Sequence, residues 1–424
     1  TAAACGDGAG APSAPPPVKQ PDPPPALPTL PDDHVATADM VVATMAGGQR
    51  ATLLALAKRG APDPWLVADE LCRRKAYDAA TAFAEGAPRP AVEGLPAYIQ
   101  SREAAPTPDD LRAALETANA ALKSGDAAAV LAAAGPHVTA SPQTVVEIRL
   151  ANAVGLALLG TQKPAEGSKL LRSTASAAEE MGWLARCASL FLDAGKGAVA
   201  QRDMATAQSL AEQALAIAAQ IDHPSLAAGA NRSIAYCREA VADYRGALPY
   251  REAAVALLRR VTPRTRLAQE LYQCFFLHDR LGQAEEGIKC VREAGDIWLA
   301  AGDTRKAADA SRQAGVAYAR LLRYENALTE FERARETLGP DGHPGDVADA
   351  WMNIGMAQGQ LARVSESVAS YAEARRRFEQ LGDHRNVGRV LENLGSLYSQ
   401  RADYVEALRY FADALDAYAE ANNL

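Results

Sequence analysis

The chain has 424 residues, a hydrophobic fraction of 48% and a formal net charge of −8 at pH 7. A sequence pI near 5.4 argues against a nucleic-acid-binding protein, which needs a basic surface. The sequence contains no run of eighteen or more apolar residues, so we expect no membrane-spanning helix. At this length and apolar content the chain can bury a large core.

Residues 1–34 differ in composition from the rest of the chain. They consist largely of Ala, Gly and Pro, including the runs Pro15-Pro16-Pro17 and Pro23-Pro24-Pro25, and they show no apolar periodicity. Such a composition is typical of a semi-extended linker, so we predict that residues 1–34 form a disordered tether. The first residue is Thr1 and not Met, so we expect an upstream segment to have been removed or omitted.

Residues 35–107 have helical patterns that are out of register with the segment that follows. Trp65, Leu71, Tyr77 and Phe83 fit one degenerate helical hairpin, and several prolines then interrupt the pattern. The terminal units of a repeat array shield its core from water and are therefore atypical in sequence. We predict that residues 35–107 form a helical N-terminal cap of degenerate repeats.

Residues 108–424 repeat one pattern of small and aromatic residues about every forty positions, in about eight units. Three positions define it in the last three units: Gly395, Ala407 and Phe411; Gly355, Ser367 and Tyr371; Gly315, Ala327 and Phe331. A fixed period indicates stacked repeats, none of which can bury its apolar face alone.

Each unit is predicted to be a pair of antiparallel helices, A and B. In the last unit, Leu391, Leu394 and Tyr398 have helical spacing, a polar break follows at 401–403, and Phe411 lies on the second helix. A glycine inside a helix costs about 1 kcal/mol relative to alanine. Its recurrence in register therefore indicates that close packing of the two helices recovers this loss.

The order Leu391, Leu394-Gly395, Tyr398, Ala407, Phe411 resembles the tetratricopeptide repeat (TPR), over about residues 108–424. The unit of about forty residues is longer than the usual one of about thirty-four. The resemblance implies an all-α, right-handed superhelical solenoid of antiparallel helix pairs. It also implies a concave groove that is lined by residues of helix A and binds peptide segments.

The resemblance also assigns groove residues, because the family's groove positions can be carried over unit by unit. The predicted peptide-binding residues are Arg232, Tyr236, Tyr272, Gln273, Phe276, Arg280, Arg312, Gln313, Arg320, Asn353, Met356, Gln360, Arg389 and Asn393. The same positions hold Asn152, Asp193, Lys196 and Met352.

One of these positions carries a row of amides: Gln273, Gln313, Asn353 and Asn393. An amide both donates and accepts hydrogen bonds, so the row can bind the backbone of an extended peptide. The arginines can bind carboxylates, while Tyr272 supplies an apolar contact. We therefore expect a protein or peptide partner that is acidic or amphipathic; the alternative is an ordinary solvated face.

The sequence shows no motif for catalysis or for a cofactor. It contains no phosphate-binding loop, no H-E-x-x-H and no C-x-x-C, and its six histidines are dispersed. We predict a protein without enzymatic activity, metal, cofactor or small-molecule substrate. Cys274 and Cys290 are predicted to lie on the two helices of one unit; free thiols are the favoured interpretation, and a disulfide between them is the alternative.

Two functions follow from these observations. The first is a non-enzymatic scaffold or adaptor that holds a partner in the groove. The alternative is the regulatory or sensing arm of a larger signalling enzyme, since arrays of this longer repeat resemble those found beside CHAT-type protease or kinase domains.

The residues around Cys5 favour the first function. The sequence Thr1-Ala2-Ala3-Ala4-Cys5-Gly6, followed by a Pro-rich tether, resembles the lipobox of a bacterial lipoprotein. The resemblance implies acylation of Cys5, and Gly6 fits export to the outer membrane. We therefore expect an outer-membrane lipoprotein on the periplasmic side, attached to the membrane by its lipid alone; without this anchor the protein is expected in the cytoplasm.

Acylation of Cys5 is tested by the intact mass of the protein extracted from its own host with and without detergent. We expect a chain that begins at Cys5 and carries glyceride and fatty acyl groups. A lipid-free species that is heavier by a whole domain would contradict the anchor and favour the regulatory arm of an enzyme.

Overall fold

The computed structural model describes residues 33–58, 63–88, 92–105, 107–261, 263–339 and 342–422, and every regular element in these ranges is helical. The predicted tether up to residue 32, with Cys5, lies outside the described residues. The chain divides into two compact units between Pro88 and Arg89. The predicted boundary between cap and array, at 107/108, therefore falls inside the second unit.

The first unit contains four helices in its described residues: α1 (His34–Ala46), α2 (Arg50–Ala57), α3 (Pro64–Arg73) and α4 (Tyr77–Gly86). Helices α3 and α4 form the hairpin expected around Trp65 and Phe83, and both of these side chains are buried. Leu53 and Leu56 of α2 complete this small core.

The second unit begins with α5 (Leu95–Ala104) and continues as helix pairs. These are α6 (Asp109–Ser124) with α7 (Ala127–Ala134) and a 3-10 turn (Gly135–His137), α8 (Val145–Leu159) with α9 (Pro164–Glu180), α10 (Leu184–Ala200) with α11 (Met204–Gln220), α12 (Pro224–Ala240) with α13 (Tyr244–Leu258), α14 (Thr265–Arg280) with α15 (Ala284–Ala300), α16 (Thr304–Arg320) with α17 (Tyr324–Leu338), α18 (Pro344–Gln360) with α19 (Val364–Leu381), and α20 (His384–Gln400) with α21 (Tyr404–Asn422).

The period of the pairs matches the sequence pattern. Helix A begins at residues 145, 184, 224, 265, 304, 344 and 384, so successive starts are 39 to 41 residues apart. From α10 onward a three-residue turn joins the helices of each pair, which makes them antiparallel. Each helix B also packs against the next helix A. The predicted all-α solenoid of helix pairs is confirmed.

The turns between helices follow a period of about twenty residues. A residue with positive φ recurs in them: Gly182, Arg202, Asp222, Ala242, Gly282, Gly302, Leu322, Ala362, Gly382 and Ala402. After Ala402, the backbone N–H of Asp403 donates to the carbonyl of Tyr398 at 3.0 Å, which closes α20. Aspartates such as Asp203 and Asp303 then cap the next helix by accepting from the backbone N–H three residues on, at 3.0 and 3.2 Å.

Within a pair, the two helices meet where a glycine of helix A faces a ring of helix B. A Cβ added to Gly315 would lie 2.5 Å from the ring of Phe331, and one added to Gly395 would lie 2.6 Å from the ring of Phe411. The Phe331 ring is fully buried, so it cannot turn out into solvent to make room. Absence of a side chain on the glycine therefore sets the separation of the two helices.

The pair α10–α11 departs from this arrangement at the same position. Gly195 corresponds to Gly315, but sixteen residues later the chain has Ala211 in the place of Phe331. A Cβ added to Gly195 would meet only the carbonyl oxygen of Ala207, at 3.6 Å. No ring of α11 occupies the corresponding space beside Gly195.

Two alanine substitutions at this position should have opposite effects. Gly315→Ala should lower the free energy of unfolding by about 1 kcal/mol. Overpacking against Phe331 costs roughly 1–3 kcal/mol, and the higher helix propensity of alanine offsets about 1 kcal/mol of that cost. Gly195→Ala should raise it by about 1 kcal/mol, because the propensity gain meets no clash. Urea unfolding followed by circular dichroism measures both; shifts of the same sign would contradict this account of helix spacing.

Candidate functional site

The predicted binding residues lie on helices A, which are neighbours in the stack. Helix α10 contacts α8 and α12, and α18 contacts α20. We call the surface formed by the predicted positions of α10, α12, α14, α16, α18 and α20 the A face. The structure brings residues forty positions apart in sequence next to each other on this surface, so it is continuous from unit to unit.

Several predicted residues of the A face bind one another. The Tyr272 hydroxyl donates to Asp309, which also accepts from Arg312, with 3.2 Å from Nε to Oδ1. Gln313 Nε2 lies 3.5 Å from the same hydroxyl. Burial and then the bond to Asp309 raise the pKa of Tyr272 above its ordinary value. This cluster links α14 to α16. Arg312 therefore already has a carboxylate partner within the chain.

Other predicted arginines also have partners within the chain. Arg320 binds Asp279 of the preceding helix A at 2.7 Å. Arg280 lies over the ring of Tyr244, 5.0 Å from its centroid. Arg389 donates to the side-chain oxygen of Asn386 at 2.8 Å. The prediction recognised that these arginines share one face but missed the groups to which they bind.

The amide row is different, because most of it has no partner. Within the part of the chain that the structure describes, the side chains of Gln273, Asn353, Asn393 and Gln360 have no hydrogen bond. Gln273 and Gln360 are exposed, whereas Asn353 and Asn393 are half-buried. Their donors and acceptors are therefore available to a ligand on the A face.

Apolar side chains on the A face differ in exposure. Phe276 is exposed and packs edge-on against Tyr272, with ring centroids 5.1 Å apart, while Met356 is half-buried. Two residues expected on this face are instead in the core: Met352 is 3% exposed and Asn152 is 8% exposed. The prediction was wrong for these two residues because a small rotation of a helix about its axis moves a side chain from the edge of the A face into the core.

A cavity of about 660 Å³ opens on the A face between α10 and α12. Leu192, Lys196 and Val199 line it from α10, and the predicted residues Arg232 and Tyr236 line it from α12. This volume falls in the range of roughly 300–1,000 Å³ that is usual for ligand sites.

The cavity lies at two adjacent helix pairs that lack the ring found in the three C-terminal pairs. Its floor contains Gly195, Ala207 and Ala211, the position at which both facing residues are small. In the next pair the corresponding residue is Arg251, which also lines the cavity. Sequence reasoning missed the cavity, although the small residues at 195 and 211 are visible in the sequence.

Arg251 is held beside the cavity by a buried set of ion pairs. Its guanidinium binds Glu239 and Glu270, each at 2.8 Å, and Glu270 also binds Arg232 at 2.6 Å. Arg251 is 6% exposed and Glu270 is 1% exposed. Burial alone would lower the pKa of Arg251, but the bond to Glu239 and the charge of Glu270 raise it above its ordinary value. Glu270 therefore fixes two arginines at once.

Among the remaining charged residues of the cavity, one cation is not matched by a carboxylate. Lys196 binds Asp193 at 2.7 Å, so this pair is neutral. Arg266, which is exposed at the edge of the cavity, has no carboxylate partner among the residues that the structure describes. The cavity consequently combines an apolar floor with a rim that has an excess of positive charge.

A smaller cavity of about 290 Å³ lies between α16 and α18 and mixes charges of both signs. Arg305, Arg312, Asp346 and Asp349 line it. Burial raises the pKa of Asp349 against the opposing effect of Arg389 and Arg312. Because its charges balance, this cavity does not favour a ligand of either sign.

The cysteines at the predicted hairpin are both free thiols. Burial raises the pKa of both, that of Cys290 to about 11, so the thiols stay protonated at neutral pH. Among the described residues, no group of three or more His, Cys, Asp or Glu side chains is placed to hold a metal ion. None of the helices in the described ranges is both long enough and apolar enough to cross a bilayer.

The fold and the A face define the class: an α-helical repeat protein whose units are helix pairs. Residues 346–420 match the family model of the tetratricopeptide repeat, which confirms the repeat type predicted from the sequence. No curated protein matches the chain.

Solved structures of other proteins are similar at low sequence identity. The apo form of the quorum sensor NprR from B. thuringiensis is 14% identical, over 77% of this chain and 93% of that one, with a TM-score of 0.44. BtubC from P. vanneervenii is 16% identical, over 52% and 89%, with a TM-score of 0.42. A Rap protein complexed with competence and sporulation factor is 12% identical, over 91% and 99%, with a TM-score of 0.38.

The buried charges predict a large difference between two similar substitutions. Glu270→Gln should destabilise the protein by about 3 kcal/mol, because it leaves buried Arg251 with half of its counter-charge. Asp279→Asn, which breaks the more exposed bond to Arg320, should cost less than about 1 kcal/mol. Thermal and urea unfolding of both variants measure this; equal losses would show that burial of the Glu270 pairs does not matter.

Proposed function

We propose that this protein is a non-catalytic scaffold that binds an extended segment of a partner protein along the A face. The observation that carries this proposal is the row of unpaired amides, Gln273, Asn353 and Asn393, at one position of helices α14, α18 and α20. The row repeats with the spacing of the helices, and an extended peptide presents donors and acceptors along its whole length.

The arginines take a different part in this proposal from the one predicted from the sequence. Arg320 binds Asp279 of the neighbouring helix α14 and so joins two helices A. Arg312 binds Asp309 of its own helix, and Asp309 also accepts from Tyr272 of α14, so both arginines belong to a fixed surface. Binding to a prearranged surface loses less conformational entropy than binding to a mobile one. Preference for an acidic or amphipathic segment then depends on the charges of the larger cavity, above all on Arg266.

We further propose that the scaffold acts at the bacterial envelope, attached through an acylated Cys5. This part rests on the sequence Ala2-Ala3-Ala4-Cys5-Gly6 and on the Pro-rich residues that follow it. A long tether between lipid and repeats would let the A face reach a partner away from the membrane surface.

The location of the partner is tested by a photo-reactive amino acid placed singly at Gln273 and at Asn353, with Glu332 on helix α17 as the matched control. We expect cross-linked protein adducts from the two A-face positions, because a bound segment passes over them, and none from exposed Glu332. Cells are irradiated, and the adducts are mapped by mass spectrometry.

A triple variant, Gln273→Ala, Asn353→Ala and Asn393→Ala, completes the test. Loss of three neutral hydrogen bonds of about 1 kcal/mol each should lower adduct yield from a probe at Gln360 by more than tenfold, with helicity unchanged. Equal adduct yields from Glu332 and the A-face positions, or no effect of the triple variant, would overturn binding along this row.

A further inference from the structure

The larger cavity has an apolar floor that the chain does not fill. Ala207 and Ala211 of α11 form the floor, and Leu192 of α10 forms a wall. Gly229 of α12 faces Leu192 across the opening, where an added Cβ would meet its Cδ1 at 3.4 Å. Ala207 and Ala211 are 2% and 1% exposed, so they lie at the bottom of the cavity, and Gly195 and Gly229 carry no side chain that would cover them.

The C-terminal pairs show what fits such a floor. In α16–α17 the ring of Phe331 lies against Gly315, and in α18–α19 the ring of Tyr371 lies against Gly355. The corresponding residues of α10–α11 are Ala211 and Gly195, so the backbone of a ring-accepting site is present and the ring is missing. A bulky side chain from another molecule can therefore occupy the space in which the repeat usually places its own.

The charges at the rim add a second requirement for a ligand. Arg232 and Arg251 share Glu270, and Arg251 also binds Glu239, so these charges are matched within the chain. Arg266 has no such partner among the described residues and is exposed beside the floor. A carboxylate next to the inserted side chain would form a charge-assisted hydrogen bond with this guanidinium.

We propose that the cavity between α10 and α12 is a specificity socket for the partner segment. It takes one aromatic or long aliphatic side chain on the Ala207–Ala211 floor, and an adjacent Asp or Glu of the same segment binds Arg266. This inference rests on the proposed binding of a protein segment along the A face, and it names the residue types that the segment must contain.

The test uses the full chain and a random peptide library displayed on phage. Peptides selected on the chain should be enriched in a bulky apolar residue next to Asp or Glu. The central variant is Ala211→Phe. It places a ring opposite Gly195, as Phe331 does opposite Gly315, and this ring should fill the socket. We expect it to fold and to weaken binding of a selected peptide by roughly thirtyfold or more, the loss typical of a central contact.

Two further variants separate filling of the socket from other effects. Ala216→Phe introduces the same ring at an exposed position of the same helix and should leave affinity unchanged. Arg266→Gln removes a charge that has no partner in the chain, so it should weaken binding about tenfold without loss of stability. This loss should shrink at high salt, because the interaction is between charges near the surface.

The outcomes distinguish the socket from the A face. Selected peptides that bind Ala211→Phe as tightly as the unaltered chain, but lose affinity in the triple amide variant, would overturn the socket and leave the A-face proposal standing. Selected peptides that are insensitive to all of these variants would overturn both. Enrichment of basic or wholly polar peptides would overturn the residue types that we assign to the segment.

Discussion

The close approach of helices A and B is the constraint on which the rest of this structure depends. Where Gly315 faces Phe331, the missing side chain of one helix accommodates the ring of the other, and the pair acquires a fixed separation. The same contact recurs at Gly355 with Tyr371 and at Gly395 with Phe411, and each helix B also packs against the next helix A, so it fixes the spacing of the three C-terminal pairs. The A face is continuous because that spacing recurs.

The same constraint explains why the cavity lies where it does. Gly195 and Ala211 provide no ring between α10 and α11, although a three-residue turn with a positive φ at Arg202 joins these helices as it joins other pairs. A well-packed stack cannot collapse locally to remove the space, because movement of one pair would disturb the contacts of the next. The small residues of this unit therefore coincide with a cavity on the A face.

Much of the architecture was predictable, because period, glycine positions and turn residues are local properties of the sequence. The helical spacing of Leu391, Leu394 and Tyr398, with the polar break at 401–403 and Phe411 after it, indicated a helix pair, and the forty-residue interval indicated the stack. Asp309 lies three residues before Arg312 on the same helix, so this pair was readable from the sequence but was missed. The partner of Arg320 was not predictable, since Asp279 lies on the preceding helix A and their contact depends on how the two helices pack. Ala211 is an intermediate case. Its small size can be read from the sequence, but the cavity could be predicted only by knowing that Ala211 faces Gly195.

Charge and packing act together at the larger cavity. A floor of small residues next to unpaired polar groups would fill with water, and a ligand would gain little by displacing it. Here Glu270 and Glu239 together neutralise Arg232 and Arg251, so these charges beside the floor are satisfied before any ligand arrives. The floor can then remain apolar while a single cation, Arg266, stays available at the edge. The charges inside the cavity are paired, whereas the cation at its rim is not. The cavity can therefore select a ligand by both the shape of its side chain and its charge.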